Sequence, residues 1–572
     1  MEKKYISIFK RSVWGVAAII GCSACTDTID EHYQVSDGVP TKTLWEQIIE
    51  QPNLTQFAKV LENVHYYNNG SETKPSSLTY KDLLQQNNKM TVWAPVDGTF
   101  DLDAVMADIQ NDEYSVGQRF VKNYVNTFSK SVSGSENDSI TMLNSKMNVL
   151  DNKGKTFKGV DIVESNISAS NGVLHKLNST ITFLNNLYEY MQITPEVSGL
   201  YKYFHDRDTT YLDENQSVQG GINEEGDITW ADSVMVTDSK AFKFSYSYRG
   251  MNWSGLNANL TNEDSTYVMI MPTNTGWNKA MAKMLPKYKY MSLPYANKDN
   301  KLEKPTTVNP DTLQKFMAEG AVVNRLVFSP NMQKDYTLED FGHTDSLITT
   351  NYAIIDTPYC NNIFKGLEPI ALSNGYVYLT DDYLYSTASD IEIEGEDASY
   401  LYKDGMNIAS GAKTAVVSKE NRNKNIEGVV SNGAYIYTTS TNKTSASNIS
   451  FKLPNVLSTK YDVYAVILPE NIRDSLNNNP LELKFSATMN FDDGISTDGV
   501  SKKSEVFIND TSKVDTVLLF KDFEFPIAYQ NVSGAYPTLT LKVEANFIEL
   551  KNGTFSNSIC VDKIILRAKE ED

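Results

Sequence analysis

The chain has 572 residues, 41% of them hydrophobic, with 33 Tyr and a formal charge of -20 at pH 7. That excess of carboxylates, spread without a long acidic run and joined to a mean hydropathy of -0.38, describes a solvated anionic surface. It excludes a nucleic-acid binder, which needs a basic face for phosphate contacts. Four cysteines exclude a disulfide scaffold, and no paired C-x-x-C motifs exist to hold a metal, Cys22 and Cys25 being the one such spacing.

At the N-terminus, Lys3, Lys4, Lys10 and Arg11 accompany an apolar run from Val13 to Ile20 that ends in small residues and cysteines. This predicts a signal peptide over residues 1–25, too short for the ~20 apolar residues of a bilayer span. Ile19-Ile20-Gly21-Cys22 resembles a bacterial lipobox, in which the cysteine is acylated after cleavage. Cys25, preceded by Ser23-Ala24, competes for that role, and the acidic stretch after it resembles the start of many Bacteroidetes surface lipoproteins. Either assignment, Cys22 or Cys25, implies a chain held at the bacterial outer membrane by lipid alone, exposed at the cell surface. Residues 26–40 are polar and aperiodic, as suits a tether.

Folding is expected to start at Thr41. Leu44, Ile48, Ile49, Leu54, Phe57, Val60 and Leu61 follow helical spacing, and Phe120, Val121, Tyr124 and Val125 do so again. Between them lies Thr91-Val92-Trp93-Ala94-Pro95-Val96-Asp97-Gly98-Thr99-Phe100, answered downstream by Ser170-Asn171-Gly172-Val173-Leu174-His175-Lys176-Leu177. The pattern then recurs as Tyr267 to Trp277, containing Met271-Pro272-Thr273-Asn274, answered by Ser373-Asn374-Gly375-Tyr376-Val377-Tyr378-Leu379-Thr380. Each time an apolar strand runs into a Pro-containing turn, and an Asn-Gly turn later feeds an alternating strand. These residues resemble the fasciclin (FAS1) family, whose two signatures read T-V-F-A-P-T-N-x-A-F and N-G-x-I-H-x-I-D. Trp93 replaces a Phe in the first copy; Met271 replaces an Ala, and Tyr378 the His, in the divergent second. The resemblance implies two FAS1 domains, each a β-wedge with packed helices, over 41–193 and 194–385. Polar insertions from Tyr211 to Asp227 and Tyr288 to Pro310 lengthen the second.

From residue 386 to 572 helical spacing gives way to short alternating strands, predicting an antiparallel β-sandwich or jelly roll. The fold class expected is therefore α+β followed by all-β. Cys360 and Cys560 read as two buried reduced thiols, with one bridge between them as the alternative.

Candidate chemistry is sparse. The five histidines are scattered, and neither a G-x-S-x-G elbow nor an H-E-x-x-H pair occurs, so no catalytic residue, metal site or cofactor is expected. His175 reads as a buried structural histidine. Asp206 with Asp208, and Asp492, Asp493 and Asp498 around Gly494, read as solvated turns over calcium ligands. Gly405 to Thr414 imitates a phosphate loop with the wrong spacing. Exposed aromatic platforms for sugar would come from Tyr400, Tyr402, Tyr435 and Tyr437, the last two on one face of a strand, with Tyr529 and Tyr536 as further candidates. Asp-Ser/Thr-apolar triplets at Ser139, Ser233, Thr312, Ser346, Ser475 and Thr516 resemble an O-glycosylation signal of Bacteroidetes export. The expectation is a non-enzymatic surface binding protein, an accessory of a SusC/SusD-type outer-membrane transporter complex that takes up glycan or peptide. The alternative is adhesion to a host or neighbour-cell protein through the FAS1 domains.

Overall fold

The computed structural model describes residues 40–67, 75–212, 214, 218–222, 228–232, 235–248, 251–291, 295–296, 302–303, 309–395, 412–442, 444–496, 499–530 and 536–569. The chain is mixed α and β and divides into two compact units, Met1–Phe183 with Leu212–Val236, and Leu184–Tyr211 with Thr237–Asp572. Among the described residues no helix is long and apolar enough to cross a membrane.

In the first unit the apolar periodicity gives helices Leu44–Ile49 and Thr55–Asn63, the former opened by a capping box between Thr43 and Glu46. The signature strand Met90–Pro95 pairs in parallel with Gly172–Leu177, and both are buried along their whole length. Continuous burial explains why the first reads as an apolar run, and it corrects the alternation expected of the second, whose His175 and Lys176 are buried as well. They sit inside a seven-stranded sheet, flanked by Val125–Thr127 on one side and Val160–Ala169 on the other. The helical spacing of Phe120 to Val125 misleads: a 3-10 turn, Val121–Asn123, ends there, and Val125–Thr127 pairs as a strand with Met90–Pro95.

In the second unit Tyr267–Pro272 again pairs in parallel with Gly375–Thr380, with Val327–Phe328 and Pro369–Leu372 outside them. Helix Leu187–Ile193 belongs to this unit: Leu187 and Met191 lie in its core. The domain boundary expected after residue 193 therefore falls earlier, behind Phe183. The boundary expected at residue 385 does not separate compact units, since one apolar core runs from Leu187 through Val268 and Val377 to Phe485 and Leu566.

Beyond residue 386 two antiparallel sheets form. Lys413–Val416, Ala434–Thr439, Ser558–Ala568, Lys460–Ile467 and Asp515–Glu524 follow one another across the first, with Ile391–Glu394 also pairing to Ser558–Ala568. The second orders Asn448–Lys452, Thr538–Val543, Lys484–Phe491 and Val500–Ile508. Phe491 of the second sheet meets Phe523 of the first at 5.2 Å between ring centroids, so the sheets face each other through aromatic contacts.

Candidate functional site

Both signature copies turn their polar atoms inward. Asn171 Oδ1 accepts from the Leu44 amide at 2.7 Å, and its Nδ2 donates to the carbonyls of Leu84 and Gln86. Asn374 repeats this with Leu187 at 3.0 Å and the carbonyls of Leu260 and Asn262. One side chain thus satisfies an orphan amide at a helix start and two carbonyls of the segment before the signature strand. Asp97, after the Pro turn, accepts from the amides of Thr55 and Gln56, and Asn274 accepts from Gly199. Gly172 and Gly375 follow each asparagine because a Cβ would stand 1.9 Å from the Met90 carbonyl oxygen and 2.0 Å from that of Tyr267. The signatures close their own fold.

His175 is fully buried and stacks on Trp93 at 4.4 Å, while Trp93 also stacks on Phe157 at 4.0 Å. Its Nδ1 accepts from the Asn166 amide at 3.2 Å, which leaves the proton on Nε2 to donate to the Lys130 carbonyl at 2.9 Å. Burial pushes its pKa down to about 4, so the ring is neutral and structurally committed. Tyr378, its counterpart, packs edge-on against Phe364 at 5.2 Å. The other described histidines stand apart: His65 pairs with Glu113, His205 stacks on Tyr201, and His343 bonds the Glu339 carbonyl.

The carboxylate runs do not converge. Asp206 pairs with Lys202, Asp208 accepts from the Tyr188 hydroxyl, and Arg207 between them reaches Glu319 at 2.8 Å. Asp493 accepts from the amides of Ile495 and Ser496; Asp492 is buried, which pushes its pKa up to about 6; Asp498 lies outside the described residues. Among the described residues no group of three or more His, Cys, Asp or Glu could hold a metal. Cys360 and Cys560 are both buried free thiols.

Of the predicted site residues, Cys22, Cys25, Tyr400 and Tyr402 lie outside the described residues, as does most of Gly405 to Thr414. Tyr435 and Tyr437 do share a face, with ring centroids 6.1 Å apart. Tyr435 nevertheless corrects the platform expectation: it is 5% exposed and packs with Val417, Ile426, Leu468, Ile472 and Cys560, while Tyr437 is half-buried against the same cluster. Tyr529 is buried too, its hydroxyl accepting from the Asp492 amide at 2.7 Å.

Tyr536, by contrast, is 37% exposed, and more open aromatic surface lies at residues outside any sequence motif. Tyr352 is 64% exposed and Phe244 55%, their rings 6.1 Å apart at an interplanar angle of 69°. Tyr352 has φ 69°, a left-handed conformation that strains a bulky side chain by roughly 1–3 kcal/mol and persists only where its surroundings enforce it. They do so here. The Tyr352 amide donates to Thr349, the Thr350 amide to Val327, the Thr350 hydroxyl to Leu256 and the Asn257 side chain to Thr350. Phe244 is fixed where its carbonyl accepts from Gly255, at which a Cβ would meet the Lys243 carbonyl oxygen at 2.0 Å. Two rigid backbones thus hold a corner of two open rings. The only sequence trace of it is the Thr-Thr-Asn-Tyr run at 349–352, whose hydroxyls and amide favour a local turn.

No protein-family profile and no curated protein matches the chain. Among solved structures it is similar to a FAS1 domain pair from the insect cell adhesion molecule fasciclin I, at 12% identity and a TM-score of 0.17, covering 52% of this chain and 89% of that one. It is also similar to the CBM22-1 and GH10 modules of a Clostridium thermocellum endo-1,4-β-D-xylanase solved with xylohexaose, at 12% identity and a TM-score of 0.16. That likeness covers 29% of this chain and 26% of the other. An exo-β-1,3-galactanase from Phanerochaete chrysosporium matches at 10% identity and a TM-score of 0.15, over 39% of this chain and 40% of its own. Scores this low fix neither fold nor function.

Proposed function

We propose that the chain is a non-enzymatic, lipid-anchored cell-surface binding protein with two FAS1 domains followed by an antiparallel sandwich of jelly-roll type. It serves a SusC/SusD-type outer-membrane importer as an accessory in the capture of glycan or peptide. The observation that carries this reading is the duplicated closure, in which the signature asparagines and Asp97 spend their polar atoms on the chain's own backbone and leave contact surface as the product. The separate commitments of the described histidines support a role without catalysis. Export is supported by the triplets: Ser139, Ser346, Ser475 and Thr516 are exposed, Thr312 is half-buried, and Ser233 lies outside the described residues.

Affinity recovery from detergent-solubilised outer membrane, run beside glycan and peptide arrays, tests this. Recovery of an importer barrel supports the accessory role, array binding supports capture, and mass spectrometry of the mature N-terminus identifies acylated Cys22 or Cys25. A soluble, unacylated mature chain with neither partner nor ligand would sink it. Adhesion is the second reading, favoured by Phe128, 77% exposed at φ 75° in the first unit. Phe128→Ala should then abolish cell attachment while leaving importer recovery intact.

A further inference from the structure

We infer that the corner formed by Phe244 and Tyr352 is a stacking site for a neutral oligosaccharide. The inference rests on the binding role proposed above and names its ligand class and place. Aromatic rings recognise sugars through the apolar C–H faces of the pyranose, which need open π-faces held at fixed angles. Both rings here are more than half exposed, and their 69° angle turns a flat surface into a two-walled corner. Rigidity removes an ordering cost that flexible side chains would impose on a weak ligand. The Thr349 hydroxyl is spent on Asn351 Oδ1 and the Thr350 hydroxyl on Leu256, so the turn is held by its own bonds.

The setting selects the ligand. With a formal charge of -20 the molecule repels uronic and sulfated glycans as well as acidic peptides. The two side chains present on the order of a few hundred Å², short of the ~800 Å² per partner that a stable protein interface buries. The extent suits one or two sugar rings. Phe244 leads directly into the hairpin Ser245–Tyr248 and Met251–Ser254.

The test uses the full chain and a panel of neutral hexasaccharides (xylo-, cello-, laminari- and maltohexaose) beside an unbiased peptide library, read by calorimetry and ligand-observed NMR. Tyr352→Gly removes the ring while suiting the left-handed backbone, so folding should hold or improve; Phe244→Ala is its companion. Expected are binding of at least one hexasaccharide, a loss of about tenfold or more in affinity in each variant, and an unchanged affinity in Leu476→Ala, a control at another exposed apolar residue. Hexasaccharide binding untouched by both variants would overturn the site while leaving glycan capture standing. Peptide binding lost in Tyr352→Gly without any sugar binding would overturn the ligand class. Absence of all array binding together with recovery of an importer barrel would overturn this inference and leave the accessory role intact.

Discussion

His175 is a side chain whose acid–base behaviour is strongly altered by its surroundings. Its pKa falls from 6.5 to about 4 on burial, so between those values the unfolded chain takes up a proton that the folded chain refuses. The stability it lends is complete above pH 6.5 and drains away as pH falls toward 4, by up to ~3 kcal/mol. Pulse proteolysis of the first unit in urea should show its midpoint dropping across that window, and His175→Phe should flatten this part of the slope. The mutant will also be less stable at pH 7, by about 1–3 kcal/mol, because the Asn166 amide and Lys130 carbonyl lose their partner. A structural histidine was legible in the sequence because it stood in an alternating strand within a signature. The exposed rings were not, since Phe244 and Tyr352 are distant in sequence and meet only through the fold. Tyr435 and Tyr437 mark the limit of period-two reasoning: alternation says they share a face, but not that segments such as 417–430 cover it.

At the scale of elements, the repeated Asn-Gly closure joins the first helix of each copy to its last signature strand. Asn171→Ala strips one acceptor and two donors from buried or half-buried backbone groups, and should cost the first unit on the order of 2–3 kcal/mol. Asn374→Ala should take a similar amount from the second, with chemical denaturation followed by unit-specific proteolysis separating the two. Gly172→Ala should be harsher than the ~1–3 kcal/mol of ordinary overpacking, because a Cβ 1.9 Å from the Met90 carbonyl oxygen can be relieved only by breaking the strand pair. Loss of protection in Met90–Pro95 by hydrogen exchange would show it. These strands were readable because Pro and Asn-Gly have fixed conformational meanings. Lys413–Val416, Asn448–Lys452 and Val500–Ile508 are harder to read, as their charged and hydroxyl residues dilute the apolar alternation.

On the scale of the whole molecule, the sequence divides more finely than the structure. A change of texture near residue 386 suggested a border, yet the backbone of Lys287 accepts from Ser458, that of Lys289 from Ala528, and the Tyr290 hydroxyl donates to Gln530. Lys287 is buried there, its ammonium on the Thr459 hydroxyl at 2.9 Å. Such contacts join elements far apart along the chain, which no local pattern reveals. Calorimetry should accordingly resolve two transitions, one per unit, with Leu184–Tyr211 and Thr237–Asp572 melting together. The closure has a mechanical meaning as well. Chain entry at Lys42 and Leu44 is bonded to Ser170 and Asn171, beside the strand by which the first copy ends. Tension arriving from the N-terminal side therefore meets a clasp that hands the load onward to the next copy, and the sheet behind that clasp is spared the shear.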